Sequence, residues 1–396
     1  MIVFRHVIII ILDACGVGAL PDAVRYGDSE SSTIPHVAAS LGGLKIPNLE
    51  AMGLGNIASI TGVPPSAQPK ACFGKMAELS PGKDSTTGHW EIGGVILNKP
   101  FPLYPDGFPE QLVIEFEKRA SVKTIGNYPA SGTEIIKELG ERHMTTGEII
   151  LYTSADSVFQ LAAHEEIVLL PRLYEICRIA RELLRGEHAV GRVIARPFVG
   201  EPGHFVRTVN RKDFSLDPPS ETILDVMMKR QIPTIAIGKI ADLFAHRGIS
   251  REVKAKNNRE VIDKVIDEMS QTAYGLIFAN LVDFDMLWGH RNDTKSFGEG
   301  LEYFDERLPQ ILGGMRNEDL LIITADHGCD PTLKYSTDHT REYVPLLVYG
   351  SRLKRGIDLC LRETFSDVAR TLAEIFALDY TFPGKSFLSE IEEAII

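Results

Sequence analysis

Three continuous apolar runs, each closed by an acid, constrain this 396-residue chain more than any other feature. Residues 7–12 end in Asp13-Ala-Cys-Gly-Val-Gly18, residues 276–282 in Asp283-Phe-Asp285 with His290 close behind, and residues 320–323 in a short step to Asp326-His327-Gly328. β-Branched runs without helical period read as strands buried on both faces, the pattern of a parallel sheet. In open parallel α/β sheets ligands sit outside the carboxyl ends of the strands. One acid at a strand end is ordinary, and Asp326 could equally cap a following helix with His327 a satisfied loop residue. Three such acids with two histidines nearby point to a shared divalent-metal centre. Paired ions roughly 3.5–4 Å apart can clamp both oxygens of an in-line phosphoryl displacement.

Between Glu91 and Lys239 this pattern is absent. A Pro-rich entry (residues 101–109) leads to a helix over 110–118. Ser131-Gly-Thr-Glu134 resembles a capping box for a helix stopping at Gly140. Strands are expected over 148–153 and 191–195, with a helix over 173–184. The chain therefore reads as α/β: a mostly parallel sheet flanked by helices, built from 1–97 and 218–396, with an inserted smaller α/β cap domain over 98–217. The core resumes with helices over 220–230, 259–269 and 296–308, the last kinked or restarted at Pro309. Strands follow at 233–237 and 344–349, and Ser366 caps the last amphipathic helix.

Composition narrows the partners. A net charge of −12 disfavours nucleic acid, so a phosphate substrate must be drawn by bound metals and a few arginines. No apolar run reaches membrane-spanning length, and the short 7–12 run is a strand rather than a signal segment. Five scattered cysteines without a CxxC pair imply a reducing, cytoplasmic setting. Cys15 and Cys329 lie beside the candidate ligands; they could ligate a soft metal, but small residues packed near a strand end are the plainer reading.

Two further stretches carry chemistry. Lys83-Asp-Ser-Thr-Thr-Gly-His-Trp-Glu91 puts three hydroxyls in a row. It is either a plain capped helix beginning at Thr87 or a loop offering a hydroxyl nucleophile. Arg192, Arg196, Arg207, Arg211 and Lys212 crowd the end of the insert, where Glu201 is the single acid between Gly191 and Lys212. Arginine forks suit phosphate oxygens, although a solvated face is the plainer account.

The strand-end Asp13, the hydroxyl loop, Asp285 with His290, Asp326-His327-Gly328 and a late His339 together resemble the alkaline phosphatase superfamily. Within it the chain resembles the bacterial phosphopentomutases nearly end to end. Lys83–Glu91, Tyr152-Thr-Ser-Ala-Asp156, Gly191-Arg-Val-Ile-Ala-Arg-Pro-Phe198, Asn280-Leu-Val-Asp-Phe-Asp285 and Thr337-Asp-His-Thr-Arg-Glu-Tyr343 carry that resemblance.

The resemblance implies an alkaline-phosphatase-like core and two divalent ions, manganese foremost. One is held by Asp285, His290 and His339, the other by Asp13, Asp326, His327 and the nucleophile loop. The family pattern has Thr as the phosphorylated residue after Lys-Asp. Here that position is Ser85, with Thr86 the second choice. Ser154, Asp156 and Lys239 would border the sugar, and Arg192 and Arg207 would grip its distal phosphate. Implied with this are interconversion of ribose 1-phosphate and ribose 5-phosphate, or their 2-deoxyribose equivalents, through a 1,5-bisphosphate. A sugar bisphosphate activator and a monomer acting on a small pentose phosphate are expected. The rivals are a phosphatase or phosphodiesterase on the same metals, a phosphoglycerate mutase, and a non-catalytic metal- or phosphate-binding protein.

Overall fold

The computed structural model describes residues 4–154 and 156–392. The chain divides into two compact units, Met1–Lys99 with Pro218–Ile396, and Pro100–Asp217. In chain order the strands are β1 (His6–Leu12) and β2 (Cys72–Met76) in the first unit. The second unit holds β3 (Thr124–Pro129), β4 (Ile149–Thr153), β5 (Val158–His164), β6 (Arg192–Val199), β7 (Val206–Arg207) and β8 (Lys212–Ser215). Back in the first unit come β9 (Thr234–Ile237), β10 (Arg251–Val253), β11 (Gly275–Leu281), β12 (Asp319–Thr324), β13 (Val344–Tyr349) and β14 (Asp358–Arg362).

The first unit is built on an eight-stranded sheet of order β10-β9-β11-β1-β12-β13-β2-β14. From β10 to β12 all neighbours run parallel, while β13 is antiparallel to both β12 and β2. Every residue of β1, β11 and β12 is buried, as expected of central strands covered on both faces. The three acid-bearing runs are thus adjacent strands. Register pairs Leu12 with Leu281 and Ile11 with Thr324, so the acids emerge side by side at one edge.

The helix Asn258–Gln271 packs on β11 and against the 21-residue helix Thr294–Gly314. That long helix continues unbroken past Pro309, so the expected restart does not occur. Proline removes the amide that would bond to the Asp305 carbonyl, and Asn48 Nδ2 takes over that oxygen at 3.0 Å. Ser366 does not cap the helix Asp367–Ile375, since its hydroxyl donates to the Pro383 carbonyl at 2.9 Å. A short helix Leu388–Ile391 follows.

In the second unit the sheet order is β3-β4-β5-β6-β7, with β8 also paired to β6. Alternation sends Leu151, Leu161, Val193 and Ala195 to one face, under the helices Glu110–Ala120 and Leu170–Leu183. Ile150, Tyr152, Ala162 and Phe198 face the helix Gly132–Thr146. That helix passes through Gly140 and stops at Gly147, beyond the expected end. A side chain at 140 would strike the Phe205 ring, so the glycine serves packing rather than termination. β5, which the sequence reading lacked, is buried throughout and shows no alternation.

Candidate active site

Asp13 follows β1, Asp326 follows β12, and Asp285 lies in a π-helical turn (Phe284–Trp288) after β11. Such turns recur at functional sites because they push a side chain out of helical register. Ala14 adopts φ +66°, a left-handed bend, and its amide donates to Asp326 Oδ1 at 3.2 Å. Asp283, the other acid of this turn, faces away and accepts from the Asn258 amide at 2.8 Å.

His327 Nε2 lies 3.4 Å from Asp13 Oδ1 and 3.4 Å from Asp326 Oδ2. His290 Nε2 and His339 Nε2 lie 3.3 and 3.2 Å from Asp285 Oδ1. Among the described residues, donor atoms fall into three groups within 4.8 Å: Asp13–Asp326–His327, Asp285–His327–His339 and Asp285–His290–Cys329. His327 is therefore shared between the two expected ion sites, and Cys329, read earlier as packing, joins one of them. Cys15 is buried and belongs to none of these groups.

The ring tautomers are set from outside the cluster. His327 Nδ1 donates to the Gly328 carbonyl at 2.9 Å and His290 Nδ1 to the Thr337 carbonyl at 2.6 Å. Each Nε2 then presents its lone pair to the cluster.

Electrostatics favours a cation here. Burial pushes the Asp13 carboxyl well up, Asp326 and Asp285 add to the shift, and Lys239 and Asn280 oppose it. Burial also acts to raise Asp285, but His339, His290 and His327 hold it well below the usual carboxylate range. Asp326 is likewise held low against burial, chiefly by His327 and His89. Burial lowers His327. Asp13 Oδ1 is buried without a hydrogen-bond partner, and buried Asp326 Oδ2 meets imidazoles, His89 Nδ1 at 3.1 Å and His327 Nε2 at 3.4 Å. Buried anionic oxygens beside imidazole lone pairs suit divalent ions with mixed O and N ligands.

The hydroxyl stretch forms the helix Ser85–Ile92, two residues earlier than the alternative start at Thr87. Its cap is Asp84, which accepts from the amides of Thr86 and Thr87 and from the Thr87 hydroxyl. Thr87 is thereby occupied. Ser85 Oγ instead lies 3.1 Å from His327 Nε2. The helix comes this close because residue 88 is glycine. A Cβ there would sit 2.1 Å from the Asp326 carbonyl oxygen.

Several supporting residues were not assigned from sequence. His89 Nδ1 donates to the Ser85 carbonyl at 2.8 Å and lies 3.1 Å from Asp326 Oδ2. Its i+4 spacing from Ser85 was the available signal. Asn280 Nδ2 donates to Asp13 Oδ2 at 2.9 Å. The Glu91 carboxylate accepts from Ser80 and Leu79 amides and from Thr364 and Phe365, pinning the loop before the helix. Arg341 donates to Glu78, Ser80 and Gly82 in the same loop, and Lys83 Nζ bridges Asp28 and Asp338 at 3.1 Å each.

In the second unit, Ser154 follows β4, and Asp156 lies 3.7 Å from Arg192, which also meets Asp213 at 3.6 Å. Arg207 is grouped instead with Arg196 and Arg211. Lys239 belongs to the first unit, follows β9 and acts on Asp13.

A family model described as the metalloenzyme superfamily matches residues 5–380. The chain is 56% identical over 387 residues to the phosphopentomutase of Caldanaerobacter subterraneus subsp. tengcongensis, covering 98% of each. It is 56% identical over 389 residues to that of Dictyoglomus thermophilum, covering 98% of this chain and 99% of that one. Among solved structures, the PH0037 protein from Pyrococcus horikoshii is similar in fold, with a TM-score of 0.50 and 16% identity, over 96% of this chain and 100% of that one. The first unit is the expected α/β core, a mostly parallel sheet flanked by helices, and the buried carboxylates and imidazoles at its strand ends are divalent-metal ligand groups. On its match to the family model and its identity to these relatives, the chain belongs to the metalloenzyme superfamily and, within it, to the phosphopentomutases, which are isomerases.

Proposed function

We propose that the chain interconverts ribose 1-phosphate and ribose 5-phosphate, and their 2-deoxyribose equivalents, by way of a phosphoserine at Ser85 and a 1,5-bisphosphate. The observation carrying this reading is the Ser85 hydroxyl, 3.1 Å from His327 Nε2 within the Asp13–Asp326–His327 group. Thr87 is tied to Asp84, which leaves Thr86 as the alternative acceptor.

Two divalent ions, manganese foremost, would be held by Asp13, Asp326 and His327, and by Asp285, His290 and His339. When bound, they neutralise charge on the transferring phosphoryl group and favour the alkoxide form of a nearby hydroxyl. The protein's own contribution is positioning. Asp84 and His89 fix the Ser85 backbone, and Glu91 and Arg341 hold the preceding loop. The phosphoryl group passes from Ser85 Oγ to a sugar hydroxyl, breaking the serine P–O bond and forming the bisphosphate. The phosphate at the other sugar carbon then returns to Ser85, with one proton exchanged between the two hydroxyls. Ser154, Asp156, Arg192 and Arg207 are assigned to the sugar and its distal phosphate, and Lys239 to the sugar. A sugar bisphosphate would prime Ser85.

All five cysteines are free, and no helix among the described residues is long and apolar enough to cross a membrane. These facts support a cytoplasmic protein, which we take to act as a monomer.

Ribose 5-phosphate supplied with manganese and a trace of bisphosphate should yield ribose 1-phosphate. Steady release of inorganic phosphate without it would replace the mutase reading with a phosphatase. Ser85→Ala should reduce turnover by about a thousandfold or more while metal binding persists. Intact mass and peptide mapping should find phosphate on Ser85 of the primed enzyme. Undiminished turnover in Ser85→Ala would move the role to Thr86.

A further inference from the structure

The Asp285 carboxylate belongs to two donor groups of different chemistry. With His327 and His339 it offers oxygen and nitrogen alone. With His290 and Cys329 it offers oxygen, nitrogen and sulfur, the one such combination among the described residues.

Several contacts hold the sulfur-bearing group in place. Cys329 is 1% exposed, and its amide donates to the Ala14 carbonyl at 3.1 Å and to the Thr33 hydroxyl at 3.2 Å, which fixes the residue against the segment after β1. His290 Nδ1 is committed to the Thr337 carbonyl, so Nε2 presents its lone pair 3.3 Å from Asp285 Oδ1. A Cβ on residue 289 would lie 2.8 Å from Cys329 Sγ. Glycine there is what lets the turns carrying Asp285 and His290 reach the sulfur. The thiol donates to the Asp338 carbonyl at 3.5 Å, a weak contact that an ion can replace.

Ligand softness separates the two groups. Thiolate favours zinc and other thiophilic ions, whereas carboxylate and imidazole also suit manganese. We propose that Asp285, His290 and Cys329 form a capture position for thiophilic divalent ions, of the zinc and cadmium class, which when filled takes Asp285 and His290 from the second of the two expected ions. Binding exchanges the thiol proton for the ion, and the proton passes to solvent. The sulfur position stands on the geometry alone, whereas its competition with manganese rests on the two-ion reading.

The test titrates cadmium chloride into the manganese-loaded full chain, following ultraviolet absorption and the manganese released. Cys360, the exposed thiol, is replaced by serine throughout. Cadmium should raise a saturating sulfur-to-metal charge-transfer band and release about one manganese ion per chain. Cys329→Ser keeps the shape and removes the sulfur. It should abolish the band and weaken cadmium about a hundredfold, with manganese affinity changed less than about threefold. Cys329→Ala should lose the band as well, and Cys15→Ala, which removes a buried thiol outside the donor groups, should keep it. No band in the parent, or a band that persists in both Cys329 variants, overturns the proposal. A Cys329-dependent band with no manganese released keeps the sulfur position and overturns its claim on Asp285. A chain that takes up only about one manganese ion defeats the two-ion reading, while the band still decides the sulfur position.

Discussion

The Asp84 carboxylate consumes the amides of Thr86 and Thr87 and the Thr87 hydroxyl, so a row of three similar side chains becomes three different ones. Individual groups are likewise specialised in the inserted unit. His143 donates from Nδ1 to the Glu148 carbonyl at 2.6 Å and accepts at Nε2 from the His164 amide at 2.8 Å. That pairing requires the neutral ring. Burial lowers its pKa, the Glu148 carbonyl opposes the shift and His164 adds to it. A histidine depressed in the folded state binds more protons when unfolded. Its stabilising contribution is therefore present above the ordinary value near 6.5 and is lost as pH falls from there toward the folded value. Urea midpoints of wild type should fall between about pH 6.5 and 5, and His143→Gln should flatten that slope. An unchanged slope in the variant would remove His143 as its cause. At this scale Asp13, Asp285 and Asp326 were legible because each closes an apolar run. Cys329 was not, because its significance comes from which chain-distant groups surround it.

Among elements, the helix Ser85–Ile92 and the end of β12 approach so closely that position 88 has room for hydrogen alone. Gly88→Ala should cost about 1–3 kcal/mol of stability, the usual penalty of overpacking, and should weaken metal binding by displacing Asp326. Calorimetric unfolding and metal titration check both; full stability with native affinity would show that the helix can retreat freely. Strands β1, β4, β6, β9, β11, β12 and β13 and the longer helices followed from apolar runs and their polar boundaries, whereas the short strands β2, β3, β7, β8, β10 and β14 carry no such run and were missed. Three further departures share one cause, a tertiary partner that overrides a local signal. Asn48 satisfies the carbonyl freed by Pro309, Phe205 fills the space a side chain at Gly140 would need, and β5 lacks alternation because both its faces are covered.

For the whole molecule, the balance of −12 is concentrated in consequence at the core sheet, where Asp13, Asp285 and Asp326 converge. Ligands that bind only the native state stabilise by mass action, about 2.7 kcal/mol at a hundredfold excess over Kd. Chelation should therefore lower the melting temperature by several degrees, and manganese should restore it. Ser85→Ala should behave alike, since it keeps the carboxylates and imidazoles. A melting temperature indifferent to chelator would deny that the centre binds ions tightly. The doubly covered parallel strands were readable from composition and period. The antiparallel placement of β13 was not, because an apolar run does not encode its direction.

The adjacency of β11, β1 and β12 has a consequence for how this protein comes into being. Residues that are neighbours across the sheet are synthesised far apart in time, Asp13 long before His339. A cation arriving early would meet only scattered side chains, so metal binding is expected to follow assembly of the sheet and to lock it rather than to seed it.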